Sequence, residues 1–190
     1  MTTPSRREFL KAGGVALAGL GIGPLPGTRV RSSTGPALIE MQSDTLGARV
    51  WFDPIGLYLN PGATVRWIVR GNVHTTTAYH PANDRHALRM PENAVPWDSG
   101  YLVHPGEHFE VTLTVPGVYD YYCTPHEAAG MVGRIVVGDP RGPGAAPFDD
   151  WAGRAGTDDW RRVPEAARAA FPSVDRILSE RRVHPARPGS

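Results

Sequence analysis

The chain has 190 residues, a formal net charge of +1 and a single cysteine. That length holds one ordinary domain of roughly 100–150 residues plus attachments, and one cysteine excludes an internal disulfide framework. Residues 1–36 carry five Lys+Arg against one acid, 37–138 six against ten, and 139–190 nine against eight, so the middle is mildly acidic and nothing in it asks for a nucleic-acid partner.

Residues 1–27 read as an export signal. Ser5-Arg6-Arg7-Glu8-Phe9-Leu10-Lys11 forms a twin-arginine box with Arg6 and Arg7 at its centre, followed by a Gly/Ala/Leu run from Ala12 to Gly23. That run is long enough for a signal h-region and too short for a membrane span. The twin-arginine translocase is the partner such a box implies, and export to the periplasm or cell surface is the location. The chain is membrane-anchored only if this segment stays uncleaved. Residues 28–36 form a Gly/Ser/Thr/Pro/Arg linker.

From residue 37 to 138 the pattern changes to short extended runs broken by turn residues: 37–42, 49–52, 57–59, 64–70, 73–79, 108–115, 118–123 and 132–137. Eight such runs predict an all-β antiparallel sandwich or barrel. Val65, Trp67 and Val69 share one face opposite Arg66, Ile68 and Arg70, and Phe109, Val111, Leu113 and Val115 oppose Glu110, Thr112 and Thr114. Asn60-Pro61-Gly62, Pro105-Gly106 and Pro116-Gly117 are turn chemistry between them. The stretch from Pro81 to Gly100, rich in Pro, Asn and Asp, is a long polar connection.

Residues 139–190 shift to Pro, Gly, Ala, Asp and Arg. This composition predicts a disordered or loosely docked tail, with two short helical segments, Pro164 to Phe171 and Val174 to Val183, the second N-capped by Ser173. Trp151 and Trp160 argue against full disorder.

The chemistry concentrates in Tyr121 to Gly138, YYCTPHEAAGMVGRIVVG, where Cys123, His126 and Met131 stand at C-x2-H-x4-M spacing between two strand-like runs. Thiolate, imidazole and thioether together make a soft, mixed donor set. With a second histidine it suits copper in an electron-transfer role, two histidines and the cysteine forming a trigonal plane and the methionine a weak axial ligand. His74 is the expected second histidine, because it opens a strand-like run 49 residues before Cys123. His80, His86, His104, His108 and His184 are expected on the surface. A coordinated thiolate is also the more economical account of a lone cysteine in an exported protein.

The run YYCTPHEAAGMVGRIVVG, with WDSGYLVHPGEHFEVTLTVPGVYDYYC ahead of it, resembles the blue-copper proteins of the plastocyanin, amicyanin and halocyanin type. The resemblance covers residues 37 to about 138 and none of the tail. It implies an eight-stranded Greek-key cupredoxin sandwich with one type 1 copper held by His74, Cys123, His126 and Met131. It also implies that His126 reaches the surface within an apolar patch, here Pro125, Ala128 and Ala129, and serves as the electron port for transient apolar docking of redox proteins. One departure is visible: many relatives carry Asn directly after the first ligand histidine, tying the two ligand loops together, where this chain has Thr75.

The function expected is therefore a single-electron carrier outside the cytoplasmic membrane, and not an enzyme. The alternative is a periplasmic copper storage or delivery protein. An oxidase or nitrite-reductase activity is disfavoured because those proteins resemble repeats of this domain with further histidine-only copper sites. Zinc is disfavoured by the methionine.

Overall fold

The computed structural model describes residues 35–186; the expected export segment, including Arg6 and Arg7, lies outside the described residues. The period-two runs become strands of two facing sheets. One sheet has the order β2-β1-β4-β6, built from β1 (Ala37–Ser43), β2 (Val50–Asp53), β4 (Ala63–Val69) and β6 (His108–Leu113). The other has the order β5-β7-β8-β3-β9, from β3 (Gly56–Leu59), β5 (Thr77–Ala78), β7 (Gly117–Tyr122), β8 (Val132–Val137) and β9 (Arg182–Val183). Alternation in β4 works as the sequence predicts: Val65, Trp67 and Val69 are buried while Arg66 and Ile68 are not.

Between the sheets lie Ile39, Met41, Phe52, Leu57, Trp67, Trp97, Tyr119, Tyr121 and Ile135. Tyr121 packs edge-on against Phe52 at 4.8 Å and Trp67 at 5.4 Å between ring centroids. Aromatic pairs of this geometry contribute about 0.5–1.5 kcal/mol beyond area burial. Gly133 faces Tyr121 so closely that a Cβ there would lie 2.2 Å from the phenol oxygen, which leaves glycine as the one residue that fits beside that ring.

Three features differ from the sequence expectation. The pairing is mixed and not purely antiparallel, because β1 runs parallel to β4 and β3 parallel to β8; each pair is joined by a chain that crosses to the opposite sheet and returns. The run from Val73 to Tyr79 is a strand only at Thr77–Ala78, with His74 forming an isolated bridge to Leu102. The described part of the tail, residues 139–186, is docked, contributes the ninth strand, and carries α1 (Glu165–Ala170) and α2 (Val174–Glu180). Ser173 caps α2 as expected, its side chain accepting from the Arg176 N–H.

Docking of the tail explains why every residue of β7 and β8 is buried. One face of this sheet packs on the other sheet, and the tail covers the other face, so alternating burial gives way to burial of every residue, Asp120 and Arg134 included. Val163 and Ala167 join Tyr79, Tyr122 and Val132 in one cluster, and Ile177 and Val183 join Val118 and Val136 in another.

A buried ion cluster fastens the tail. Asp120, fully buried in β7, accepts from Arg89 Nε at 3.1 Å and from Arg134 Nε at 2.7 Å. Arg89 then donates to the tail carbonyls of Pro143, Gly144 and Ala146 at 2.8–3.1 Å, and its guanidinium sits 4.2 Å over the Phe148 ring. Arg134 donates to the Pro172 carbonyl at 3.0 Å. Every charge is both paired and hydrogen-bonded, as burial in low dielectric requires. Asp120→Ala strands two buried guanidinium groups and is expected to cost about 3–5 kcal/mol of stability. Chemical denaturation of the full chain checks this, and an unchanged midpoint would contradict it.

Candidate metal centre

Cys123 directly follows β7, and the 3-10 turn Thr124–Ala129 after it carries His126 before the chain enters β8 at Val132. Pro125 presets the start of the turn, and Gly130 closes it in the left-handed region (φ 84°). The Cys123 N–H donates to the Met131 carbonyl at 3.0 Å and the Met131 N–H to the His126 carbonyl at 3.1 Å, so the three donor residues share one tightly bonded loop. His74 arrives from the other ligand segment, held by paired backbone bonds with Leu102 at 3.0 and 2.9 Å.

Cys123 Sγ lies 3.6 Å from His74 Nδ1 and 3.3 Å from His126 Nδ1. Both imidazoles present the same nitrogen to the sulfur, and all three donor atoms fall within 4.8 Å of one another. His74, Cys123 and Met131 are fully buried, Met131 in the same core cluster as Cys123, while His126 is half-buried at the edge. Around it Pro125, Ala128 and Ala129 are exposed.

Burial keeps all three donors uncharged in the metal-free protein. Burial pushes the Cys123 thiol up to about 11 against the pull of hydrogen bonds from Thr75 and His126. Burial, with the nearby His126 imidazole adding to it and the Gly71 backbone opposing, lowers His74 to about 4, and burial lowers His126 too. At neutral pH both imidazoles therefore keep free lone pairs, and the thiol gives up its proton when a metal ion takes its place. A soft set of one thiolate, two imidazoles and one thioether fits copper.

Thr75 performs the tethering that the sequence left open. Its backbone N–H donates to Cys123 Sγ at 3.3 Å, and its hydroxyl accepts from the Thr124 N–H at 2.8 Å across the two ligand segments. The same hydroxyl lies 3.0 Å from Thr77 Oγ1, which donates to Asp98 at 3.0 Å. The sequence expectation fails for His86. Expected on the surface, it is 2% exposed, with Nε2 3.0 Å from Glu127 Oε2. His104, His108 and His184 are exposed as expected.

Residues 39–138 match the family of copper-binding proteins of the plastocyanin/azurin type. The chain belongs to that family. Plastocyanin of the alga Tetradesmus obliquus is 30% identical over 141 residues, 70% of this chain and 83% of that protein. Barley plastocyanin is 47% identical over 73 residues, 33% of this chain and 46% of that protein, so the chain spans about half the length of this relative. Among solved structures, pseudoazurin of Sinorhizobium is 27% identical, covering 76% of this chain and 94% of its own, with a TM-score of 0.48. The cupredoxin sandwich is thus the fold, copper is the metal this family binds, and the family match itself stops at residue 138.

Two outcomes are expected. Thr75→Val keeps the N–H to sulfur but removes the acceptor for Thr124, and copper affinity should fall about 10–100-fold, while Thr75→Ser stays close to the parent; competition with a chelator measures both. The metal-free protein should lose stability as pH falls from 6.5 to about 4, because the unfolded chain takes up a proton on His74 before the folded chain does. Thermal melts across that window read it, and a flat profile would contradict the burial of a neutral His74.

Proposed function

We propose that this protein is a single-electron carrier working outside the cytoplasmic membrane, with His74, Cys123, His126 and Met131 as the ligands of one type 1 copper. The observation that carries this reading is the convergence of Cys123 Sγ with two histidine Nδ1 atoms at 3.6 and 3.3 Å, with Cys123 and His74 fully buried. Copper, when bound, supplies a one-electron couple between Cu(I) and Cu(II). Cys123 would hold the ion as a thiolate, His74 and His126 as neutral imidazoles, and Met131 as a weak thioether donor that would tune the potential. Because both ligand segments are held by backbone bonds and by Thr75, the side chains need little rearrangement as the charge changes, which is what a carrier requires.

His126 is the electron port in this reading, since it is the half-buried member of a set otherwise sealed in the core. Pro125, Ala128 and Ala129 give a small apolar rim, and exposed Tyr101 and Val103 flank Leu102, the backbone partner of His74. Such a surface suits a weak encounter with a redox protein, where interfaces fall below roughly 1,200 Å². The domain assignment that goes with this is a signal at 1–27, a linker at 28–36, the cupredoxin domain at 37–138 and a tail from 139. Arg6 and Arg7 would direct export by the twin-arginine translocase. No helix among the described residues is long and apolar enough to cross a membrane, so attachment would rest on an uncleaved signal. Storage or delivery fits less well, because handing over a metal calls for exchangeable ligands, and His74, Cys123 and Met131 are fully buried.

Cys123→Ser is expected to abolish the intense visible band and electron transfer while the sandwich still folds; a coloured variant would contradict the thiolate assignment. Met131→Leu should keep the colour and raise the reduction potential, and an unchanged potential would remove Met131 from the axial position.

A further inference from the structure

The turn Thr124–Ala129 has one buried side chain, and it belongs to Glu127, next to His126. Thr124, Pro125, Ala128 and Ala129 are exposed. A carboxylate turned inward at 7% exposure needs partners for both oxygens. Glu127 Oε1 accepts from the Tyr79 hydroxyl at 2.6 Å, and Oε2 lies 3.0 Å from His86 Nε2. His86 is fixed in turn, with Nδ1 2.9 Å from the Asn83 carbonyl and 3.2 Å from the Tyr122 hydroxyl, and its ring stacked on Tyr122 at 4.4 Å.

The tail supports this cluster from behind. Val163 and Ala167 pack with Tyr79 and Tyr122, and Gly130 approaches α1 so closely that a Cβ would lie 3.2 Å from the Ala166 carbonyl. The Arg161 N–H donates to the Arg85 carbonyl at 2.7 Å, which ties the tail to the segment carrying His86. The ligand turn is therefore held on two sides: Thr75 bonds its first residue, and Glu127 anchors the residue after its histidine.

We propose that Glu127 is a positioning residue of the metal centre: its carboxylate, held by Tyr79 and His86, sets where the turn places His126 relative to Cys123 and Met131. This rests on the ligand assignment proposed above. A ligand loop must be held within about 0.5 Å of its working geometry, by neighbours whose own conformations are locked. Here Tyr79 and His86, from two separate segments, meet on one side chain of the turn, and the tail packs on Tyr79 behind them.

The test compares the parent chain with Glu127→Ala, Glu127→Gln and Tyr79→Phe, each as full chain, first metal-free and then with one equivalent of Cu(II). In Glu127→Ala the metal-free amides of His126 and Met131 should exchange about tenfold faster or more, because a hydrogen-bonded anchor is lost. On the loaded protein, copper release to a chelator should be about 10–100-fold faster, and the thiolate band and copper hyperfine splitting should shift. Glu127→Gln, which keeps the shape and an acceptor for Tyr79, should recover most of this difference, and Tyr79→Phe should fall between. A variant that melts at lower temperature but keeps the parent's amide exchange, hyperfine splitting and release rate would overturn the proposal. If Glu127→Ala does not fold, the same comparison in Tyr79→Phe decides it, a shifted splitting supporting the proposal and an unchanged one refuting it. A parent that shows no thiolate band refutes the ligand assignment, and the metal-free exchange then still reports whether Glu127 holds the turn.

Discussion

A thiol buried between two neutral imidazoles gains little from its surroundings unless a cation joins them, and the rest of this structure is arranged to keep those three groups together. Cys123 directly follows a strand that is buried on both faces, His126 comes next on a turn closed by backbone bonds to Cys123 and Met131, and His74 is fixed by its bridge to Leu102. Desolvation lowers the imidazoles and so leaves their lone pairs free for a metal ion, while it raises the thiol, which gives up its proton only when a metal ion takes its place. The rigid sandwich keeps the donors converged before any metal arrives.

The tail extends that rigidity. A sheet with one solvated face would leave Tyr79, Tyr122 and Val132 open to water, whereas Val163, Ala167 and Phe171 cover them here. Asp120 is the pivot, because it holds Arg89 and Arg134 in place to grip tail carbonyls. The same coverage reaches the ligand turn directly at Gly130, and reaches Glu127 through Tyr79, so the tail bears on the back of the metal centre.

Much of this was legible in the sequence, for identifiable reasons. The C-x2-H-x4-M spacing brings its donors together because the turn is local, and the alternation of Val65, Trp67 and Val69 marks a sheet face directly. His74 could be selected because a three-donor loop needs one more imidazole, and the structure sets its Nδ1 3.6 Å from the sulfur. The parallel pairings were not legible, since period-two patterning is the same in either direction. Docking of the tail was hidden by its composition: its grip depends on backbone carbonyls and on two arginines far away in sequence. His86 looked like a loop histidine because its partners, Glu127 and Tyr122, lie 41 and 36 residues away. The signal the sequence did offer is the pair Trp151 and Trp160, large aromatics out of place in a chain that stays unfolded.

The most direct test of the account is a visible absorption and electron paramagnetic resonance spectrum of the purified full chain after adding one equivalent of Cu(II). The account predicts an intense blue or green thiolate-to-copper band with a narrow hyperfine splitting. A pale spectrum of ordinary tetragonal copper would contradict it, because Cys123 would then not be a ligand and the electron-carrier reading would lose its centre.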